Sequence, residues 1–116
     1  MVDFDINRRE VYRLRYPLKE RPAFDTGEEV FAVVDVSEYG LRFFTRKRSG
    51  YELGQQIEGE LVLLENAGRR KLTGIVVRVD MGGVALQLHD DCPIPLAMMI
   101  AEQQRLIQKG VLEDWD

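Results

Sequence analysis

Short apolar runs, rich in β-branched residues and separated by glycine-containing breaks, occupy residues 28–90 of the chain. This pattern is typical of an antiparallel all-β domain rather than of βαβ units. The runs predict strands at residues 29–36, 41–45, 57–64, 71–79 and 84–88. A chain of 116 residues is long enough for one such domain and too short for two.

The breaks between the runs contain residues suited to tight turns. Residues 66–68 and 80–83 include asparagine, aspartate and glycine, which tolerate positive φ. A sixth strand is expected at residues 14–24, but Pro17 and Pro22 interrupt it, so we expect it at an edge of the sheet. Six short strands in a small chain favour a closed or nearly closed barrel, because closure removes exposed strand edges.

The hydrophobic period changes after Pro93 and Pro95. Mostly apolar residues then recur at helical spacing, namely Leu96, Met99, Ile100, Gln103 and Ile107. Gly110 follows as a stop signal. The fold class predicted by the sequence is therefore all-β with one C-terminal helix, which packs on the barrel through this stripe and the Met98-Met99 pair.

Positive charge is concentrated in two parts of an acidic chain. The net charge is -4, yet residues 8–21 contain six arginines and lysines against two glutamates. A second basic cluster consists of Arg42, Arg46, Lys47 and Arg48. Coating long nucleic acid usually requires a basic domain overall, so these patches favour a small anionic ligand. Judged on charge alone, an ordinary solvated surface explains the two basic clusters at least as well as a ligand site does.

The scarcity of cysteine and histidine excludes several kinds of site. Cys92 is the only cysteine and His89 the only histidine, so neither an internal disulfide nor a Cys/His zinc site can form within the chain. No nucleophile-elbow sequence surrounds Ser37, and we expect no enzyme activity, no catalytic residues, no metal and no cofactor. No apolar run approaches the roughly 18 residues of a membrane span, and the N-terminus lacks the charge pattern of a signal peptide. We therefore expect a cytoplasmic protein without membrane insertion.

Two short motifs combine guanidinium, carboxylate and hydroxyl groups. The first places Arg9 and Arg13 ahead of the barrel, and the second, Asp35-Val-Ser37-Glu-Tyr-Gly40, lies at the end of a predicted strand. Side chains alternate along a strand, so Asp35 and Ser37 point the same way and can contact one ligand. At Gly40 a Cβ would obstruct either a left-handed backbone or the close approach of a ligand.

The chemistry of these motifs suits a guanine nucleotide. Arginine presents a planar fork of donors that matches phosphate oxygens or the O6/N7 edge of guanine. Each motif alone is a weak signal, since the second also fits an ordinary turn capped by an aspartate or serine side chain. The motifs are flanked by Tyr12, Tyr16 and Tyr39. The sequence fits two roles for these tyrosines, stacking on a base and packing at the barrel edge.

In their order and context, these features resemble the PilZ domain family of bacterial cyclic di-GMP receptors. That family has R-x-x-x-R ahead of an antiparallel barrel, D-x-S-x-x-G at a strand-to-turn junction, and a C-terminal helix. Arg9 and Arg13 match the first motif, and Asp35, Ser37 and Gly40 match the second without substitution. The resemblance covers nearly the whole chain and implies a six-stranded barrel that binds cyclic di-GMP.

The resemblance further implies that the N-terminal segment is flexible without ligand and folds over the nucleotide when it binds. We accordingly expect a flexible arginine-motif segment at 1–13, the β-barrel at 14–92, and the C-terminal helix with an acidic tail at 93–116. In the family, the residue before the arginine pair can decide whether one nucleotide or a self-stacked pair binds. Arg8 occupies that position and offers a third cation, so we expect two cyclic di-GMP per protomer.

The leading interpretation is a cyclic di-GMP effector that changes conformation on binding and signals to an unidentified downstream protein. One alternative is a ligand-independent PilZ-type adaptor, and a less favoured one is a small-barrel nucleic-acid-binding protein. Nucleic acid is disfavoured because OB-type binders spread aromatic residues over a basic strand face. Phe43 and Phe44 are adjacent, so at least one of them must point inward.

Overall fold

The computed structural model describes residues 12–46 and 50–111. Its described strands are β1 (Arg13–Arg15), β2 (Ala23–Asp25), β3 (Val30–Ser37), β4 (Gly40–Phe44), β5 (Gln56–Val62), β6 (Arg69–Asp80) and β7 (Gly83–Leu88). One α-helix, α1, spans Leu96–Gln108. The flexible segment expected at 1–13 lies, except for its last two residues, outside the described residues and stays a prediction.

The strands close into a barrel of six, and a seventh short strand lies beside it. β3 pairs with β2 on one edge and with β4 on the other, and pairing continues from β2 through β5, β6 and β7 back to β4. β1 lies next to β2 in space, opposite residues 35–37 of β3, while β2 lies opposite residues 30–32. The predicted six-stranded antiparallel barrel with one C-terminal helix is confirmed.

The interrupted sixth strand is in fact two strands. Pro17 and Pro22 lie between β1 and β2, together with a 3-10 turn at Leu18–Glu20. The predicted edge position is wrong for β2, which pairs with both β3 and β5. Proline lacks only the donor N–H, and the Pro22 carbonyl still accepts a hydrogen bond from the Val33 N–H at 2.9 Å. This hydrogen bond attaches the residue before β2 to β3.

Inward-facing side chains from the strands and α1 form one core. Its completely buried members are Phe24, Val33, Phe43, Val84 and Leu106. The rings of Phe24 and Phe31 lie 5.6 and 4.6 Å from that of Phe43. Phe43 points inward and Phe44 outward, as their adjacency predicts. The Met98-Met99 pair packs on this core, also as predicted, with Met99 buried and Met98 partly buried.

The face that helix α1 turns to the barrel differs from the predicted stripe at two positions. Met99 is buried, but Leu96 and Ile100 are 49% and 43% exposed, so the predicted stripe is wrong at those two positions. The buried face instead includes Glu102, whose carboxylate accepts a hydrogen bond from the Tyr16 hydroxyl at 2.8 Å. A buried carboxylate with such partners is not identifiable from hydropathy. No helix in the described ranges is long and apolar enough to cross a membrane.

The predicted turns contain residues with positive φ. Asn66 has a φ of 57° and Gly83 a φ of 124°. A Cβ at Gly83 would also overlap the carbonyl of Phe43 on the neighbouring strand. Glycine is therefore required at the end of the β6–β7 turn both by the backbone angle and by the distance to β4.

Gly59 of β5 makes room for the aromatic core. An added Cβ would lie 2.7 Å from Cζ of Phe24 and 2.9 Å from the Asp25 carbonyl oxygen. We expect Gly59→Ala to lower the free energy of unfolding by about 1–3 kcal/mol, because the ring must move within a packed core. Urea unfolding measures this change. Gly50→Ala is the control, since nothing lies within 4 Å of its added Cβ. Equal stability of the two variants would contradict this account of the packing.

Candidate functional site

A β-bulge in β3 turns Asp35 onto the outer face of the barrel. The register of β3 against β4 skips Val34, because the pair at Val33 is followed by the pair at Asp35. Val33 is buried in the core before the bulge, and Val36 after it. The extra residue shifts the alternation of side chains by one. Asp35 and Ser37 therefore share the outer face, as the motif spacing predicts.

The strand register places two rows of residues, most of them polar or charged, across this outer face. One row runs through β1, β3, β4, β7 and β6 at Arg15, Asp35, Arg42, Ala85 and Arg78. The next row contains Arg13, Ser37, Gly40, Gln87 and Ile75. Directly opposed residues of antiparallel strands have neighbouring side chains. The register thus brings widely separated parts of the chain onto one surface.

A pocket of about 390 Å³ lies over these rows. Four predicted site residues line it: Arg13, Asp35, Ser37 and Gly40. The other two, Arg8 and Arg9, lie outside the described residues. The pocket has a volume in the range that holds small-molecule ligands. Among the described residues, no group of histidine, cysteine and acidic side chains is arranged to hold a metal ion.

Asp35 is a buried carboxylate in the pocket wall. It is 9% exposed, and no side chain in the described part of the chain forms an ion pair or a hydrogen bond with it. Asp35 is not among the described residues with a fully buried, unpartnered side-chain oxygen, so its carboxylate is reachable from the pocket and can accept hydrogen bonds from a ligand.

The role of Gly40 is to leave space for the Ser37 side chain, and not to adopt a left-handed backbone conformation. Its φ is not among the positive values of the described residues, so a left-handed conformation is excluded as the reason for glycine. A Cβ at Gly40 would lie 2.7 Å from the Ser37 hydroxyl oxygen. The preceding turn is held by a hydrogen bond of 2.9 Å from the Leu88 N–H to the Tyr39 carbonyl. The absence of a Cβ leaves the Ser37 hydroxyl accessible from the pocket.

A comparison with known protein families assigns the chain to one of them. The sequence profile of the PilZ domain matches residues 7–105. The chain belongs to the PilZ domain family. The resemblance inferred from the two motifs is therefore confirmed, and PilZ domains are a family of cyclic di-GMP-binding receptors that act as binding or adaptor modules. No curated protein sequence matches the chain.

Two further arginines line the pocket of this PilZ domain. Arg42 Nη2 donates to Asp80 Oδ1 at 2.6 Å, and Arg78 Nε lies 3.1 Å from Asp80 Oδ2. The Gly82 N–H donates to the same Oδ1 at 2.8 Å. One carboxylate in the β6–β7 turn thus fixes two guanidinium groups at the pocket wall.

Sequence reasoning does not assign these two arginines to the site. Arg42 belongs to the predicted second basic cluster, in which Arg46 is exposed and residues 47 and 48 lie outside the described range. A usable signal for Arg42 is its place two residues after Gly40, on the outer face of β4. Arg78 has no comparable signal, since it belongs to neither motif and to neither of the predicted basic clusters. Only the register of β6 against β7 brings it to the pocket.

The three tyrosines near the PilZ motifs have different environments. Tyr39 lines the pocket and is 42% exposed, and stacking of its ring on a base stays a prediction. Tyr12 and Tyr16 pack against the core, and their hydroxyls donate to Gln103 and Glu102 of α1. Burial raises the pKa of both, and the neighbouring Glu102 raises that of Tyr16 further. Packing is therefore confirmed for these two.

Removal of the Asp80 carboxylate tests whether it holds the pocket wall. We expect Asp80→Ala to lower the free energy of unfolding by about 1–3 kcal/mol, because a charged acceptor is lost. The side chain that loses this acceptor, Arg42, is only 22% exposed. Glu60→Ala is the matched control and breaks the 3.7 Å ion pair with the exposed Arg69, for which at most about 1 kcal/mol is expected. Urea unfolding gives the comparison. Equal losses would mean that Asp80 is an ordinary surface partner.

Proposed function

We propose that this protein is a cyclic di-GMP receptor that changes conformation on binding and signals to a partner protein. The observation that carries the proposal is the pocket at which Arg13, Asp35, Ser37 and Gly40 meet within a PilZ domain. Arg8 and Arg9 complete the proposed set of ligand-binding residues. No catalytic residue, metal or cofactor enters the proposal, and the proposed compartment is the cytoplasm.

The hydrogen-bonding groups of the pocket complement guanine. An ionised carboxylate only accepts hydrogen bonds, so the guanine ring N–H and exocyclic amino group are suitable donors to Asp35. The guanidinium fork of Arg13 matches either the O6/N7 edge of the base or a phosphate. The Ser37 hydroxyl can donate or accept. Hydrogen bonds that involve a charged group contribute about 1.5–3 kcal/mol each.

The charge of the pocket wall supports a contribution from the N-terminal arginines. Three arginines border the pocket, at positions 13, 42 and 78. Asp35 lies among them, and Asp80 forms ion pairs with two of them. The wall therefore has little net positive charge for a ligand with two phosphates. Arg8 and Arg9 are the residues proposed to supply the missing cations.

The proposed conformational change follows from the same requirement. Ordering the backbone of a residue costs about 1–2 kcal/mol. Charge-assisted hydrogen bonds from Arg8 and Arg9 to the ligand offset this cost only when the ligand is present. Folding of residues 1–13 over the nucleotide would therefore depend on binding, and the surface that it creates is the proposed signal to the partner.

Alanine substitution of the arginines tests the binding proposal. We expect Arg13→Ala and Arg9→Ala each to weaken cyclic di-GMP binding by about tenfold or more, since each loses a charged hydrogen-bonding group. Arg13 is exposed on β1, so its variant should remain folded. Calorimetric titration measures the affinity. Arg69→Ala, at an exposed arginine outside the pocket, is the control. Wild-type affinity in both test variants would refute the assignment.

Asp35→Ala and Ser37→Ala belong to the same test. Weaker nucleotide binding is expected from each, because the ligand loses an acceptor or a hydroxyl partner. The turn-cap interpretation of the motif expects a different result, namely lower stability with unchanged affinity. Thermal unfolding measured beside the titration separates the two interpretations.

The stoichiometry of binding tests the proposed role of Arg8. Two stacked nucleotides bring four phosphate charges, and an additional guanidinium can contact the second molecule's phosphate or stack on its base. We expect two cyclic di-GMP per protomer in the wild type and one in Arg8→Leu, with binding retained. Calorimetry gives the number directly. A wild-type stoichiometry near one would remove Arg8 from the proposal and leave the other residues in place.

A further inference from the structure

A buried polar network joins β1 and its flanking residues to helix α1. The Tyr16 hydroxyl donates to Glu102 Oε1 at 2.8 Å, and the Tyr12 hydroxyl donates to Gln103. Arg105 Nε holds the other oxygen of Glu102 at 2.9 Å. Tyr16 and Glu102 are 3% and 2% exposed. These groups have no part in the proposed contacts with the nucleotide.

Ion pairs extend this network to the end of the helix. Glu20, in the turn between β1 and β2, lies 3.5 Å from Arg105 Nη1 and 3.1 Å from Lys109 Nζ. Glu65 contacts the same two cations, at 3.4 and 2.8 Å. Hydrogen bonding to Glu102 raises the pKa of Arg105, and hydrogen bonding to Lys109 lowers that of Glu65. Tyr12, Tyr16 and Glu20, from the segment around β1, therefore hold α1 at several points along its length, and Glu65 adds contacts from the connection between β5 and β6.

β1 lies between the pocket and the helix. Arg13 and Arg15 are exposed on one face of the strand, and Leu14 is buried on the other. The pocket face presents Arg13, and the opposite face continues into the buried Tyr16. Among the described strands, β1 alone pairs with a single neighbour, over three residue pairs. So short a strand depends for its local stability on the contacts at both of its faces.

We propose that β1 couples the nucleotide site to α1. Ligand contacts at Arg13 stabilise β1, and β1 then stabilises the docked position of α1 through Tyr12 and Tyr16. This inference rests on the proposed function and adds the element through which the bound state is transmitted. Coupling of this kind is reciprocal, so a change that loosens α1 from β1 weakens nucleotide binding by the same factor.

The alternative is a purely structural role for the network. In that case the loss of a hydrogen bond between β1 and α1 lowers the free energy of unfolding and leaves the affinity for the nucleotide unchanged. The response of α1 to the ligand then does not depend on Tyr16. Affinity and helix protection therefore distinguish coupling from support of the fold, whereas a melting temperature does not.

The experiment compares amide exchange in the full chain, free and saturated with cyclic di-GMP. In the wild type we expect the amides of α1 to exchange about fivefold or more slowly when the ligand is bound. Tyr16→Phe retains the buried ring and removes only the hydroxyl that reaches Glu102. The variant should bind several-fold more weakly and, at saturation, lose most of the added protection of α1.

Tyr51→Phe is the matched control. Its ring packs on those of Phe31 and Phe43, with centroids 6.3 and 5.7 Å apart, and its hydroxyl has no hydrogen-bond partner in the described part of the chain. Wild-type affinity and wild-type protection of α1 are expected for this variant. If Tyr16→Phe fails to fold, Tyr12→Phe serves as the second variant, because Tyr12 is only partly buried and its hydroxyl contacts Gln103 of the same helix.

Three results would overturn the coupling. Unchanged exchange of α1 in a wild-type protein that binds the ligand refutes it and leaves the proposed function standing. Wild-type affinity and protection in Tyr16→Phe refute it even if the variant melts at a lower temperature. Failure of the wild type to bind cyclic di-GMP refutes the proposed function, and the coupling with it.

Discussion

The bulge at Val34 decides which side chains of β3 enter the core and which reach the pocket. If the alternation that includes Val33 continued unbroken, Asp35 would point into an apolar interior, where a charge without a partner is costly. With the bulge, Val36 fills the core while Asp35 and Ser37 face outward. A single extra residue in one strand therefore serves both the packing of the barrel and the chemistry of its outer face.

The elements that depend on local pattern are predictable from the sequence. The predicted strand at 71–79 appears as Arg69–Asp80, and both site motifs are short enough to recognise directly. The incorrect predictions concern contacts between distant residues. The position of β2 depends on its pairing with β5, at Phe24 and Leu61 among others. The buried face of α1 includes Glu102, whose hydrogen-bond partner Tyr16 lies 86 positions away in the sequence.

The Asp80 turn shows how a site residue can lack any sequence signal. In the sequence, Arg78 is one exposed charge in a strand, and its relation to Arg42 exists only in the register of β4, β7 and β6. Gly82 leaves room for the Arg42 guanidinium, because a Cβ at this position would overlap Nη2 of Arg42. The sequence there indicates a turn, whereas the contact of Gly82 with Arg42 involves a side chain on another strand. Such a contact becomes visible only in three dimensions.

Closure of the barrel through β2 leaves β1 outside the ring of six strands. Separating β1 from the barrel breaks three residue pairs with β3 and exposes Leu14. Exposure of a leucine side chain costs about 1.5–3 kcal/mol, against a global stability of about 5–15 kcal/mol for a typical domain. Detachment of β1 is therefore less costly than global unfolding, and it leaves the ring of six strands paired. A ligand bound at Arg13, as proposed, would then leave at a rate set by this local opening and not by unfolding of the whole protein.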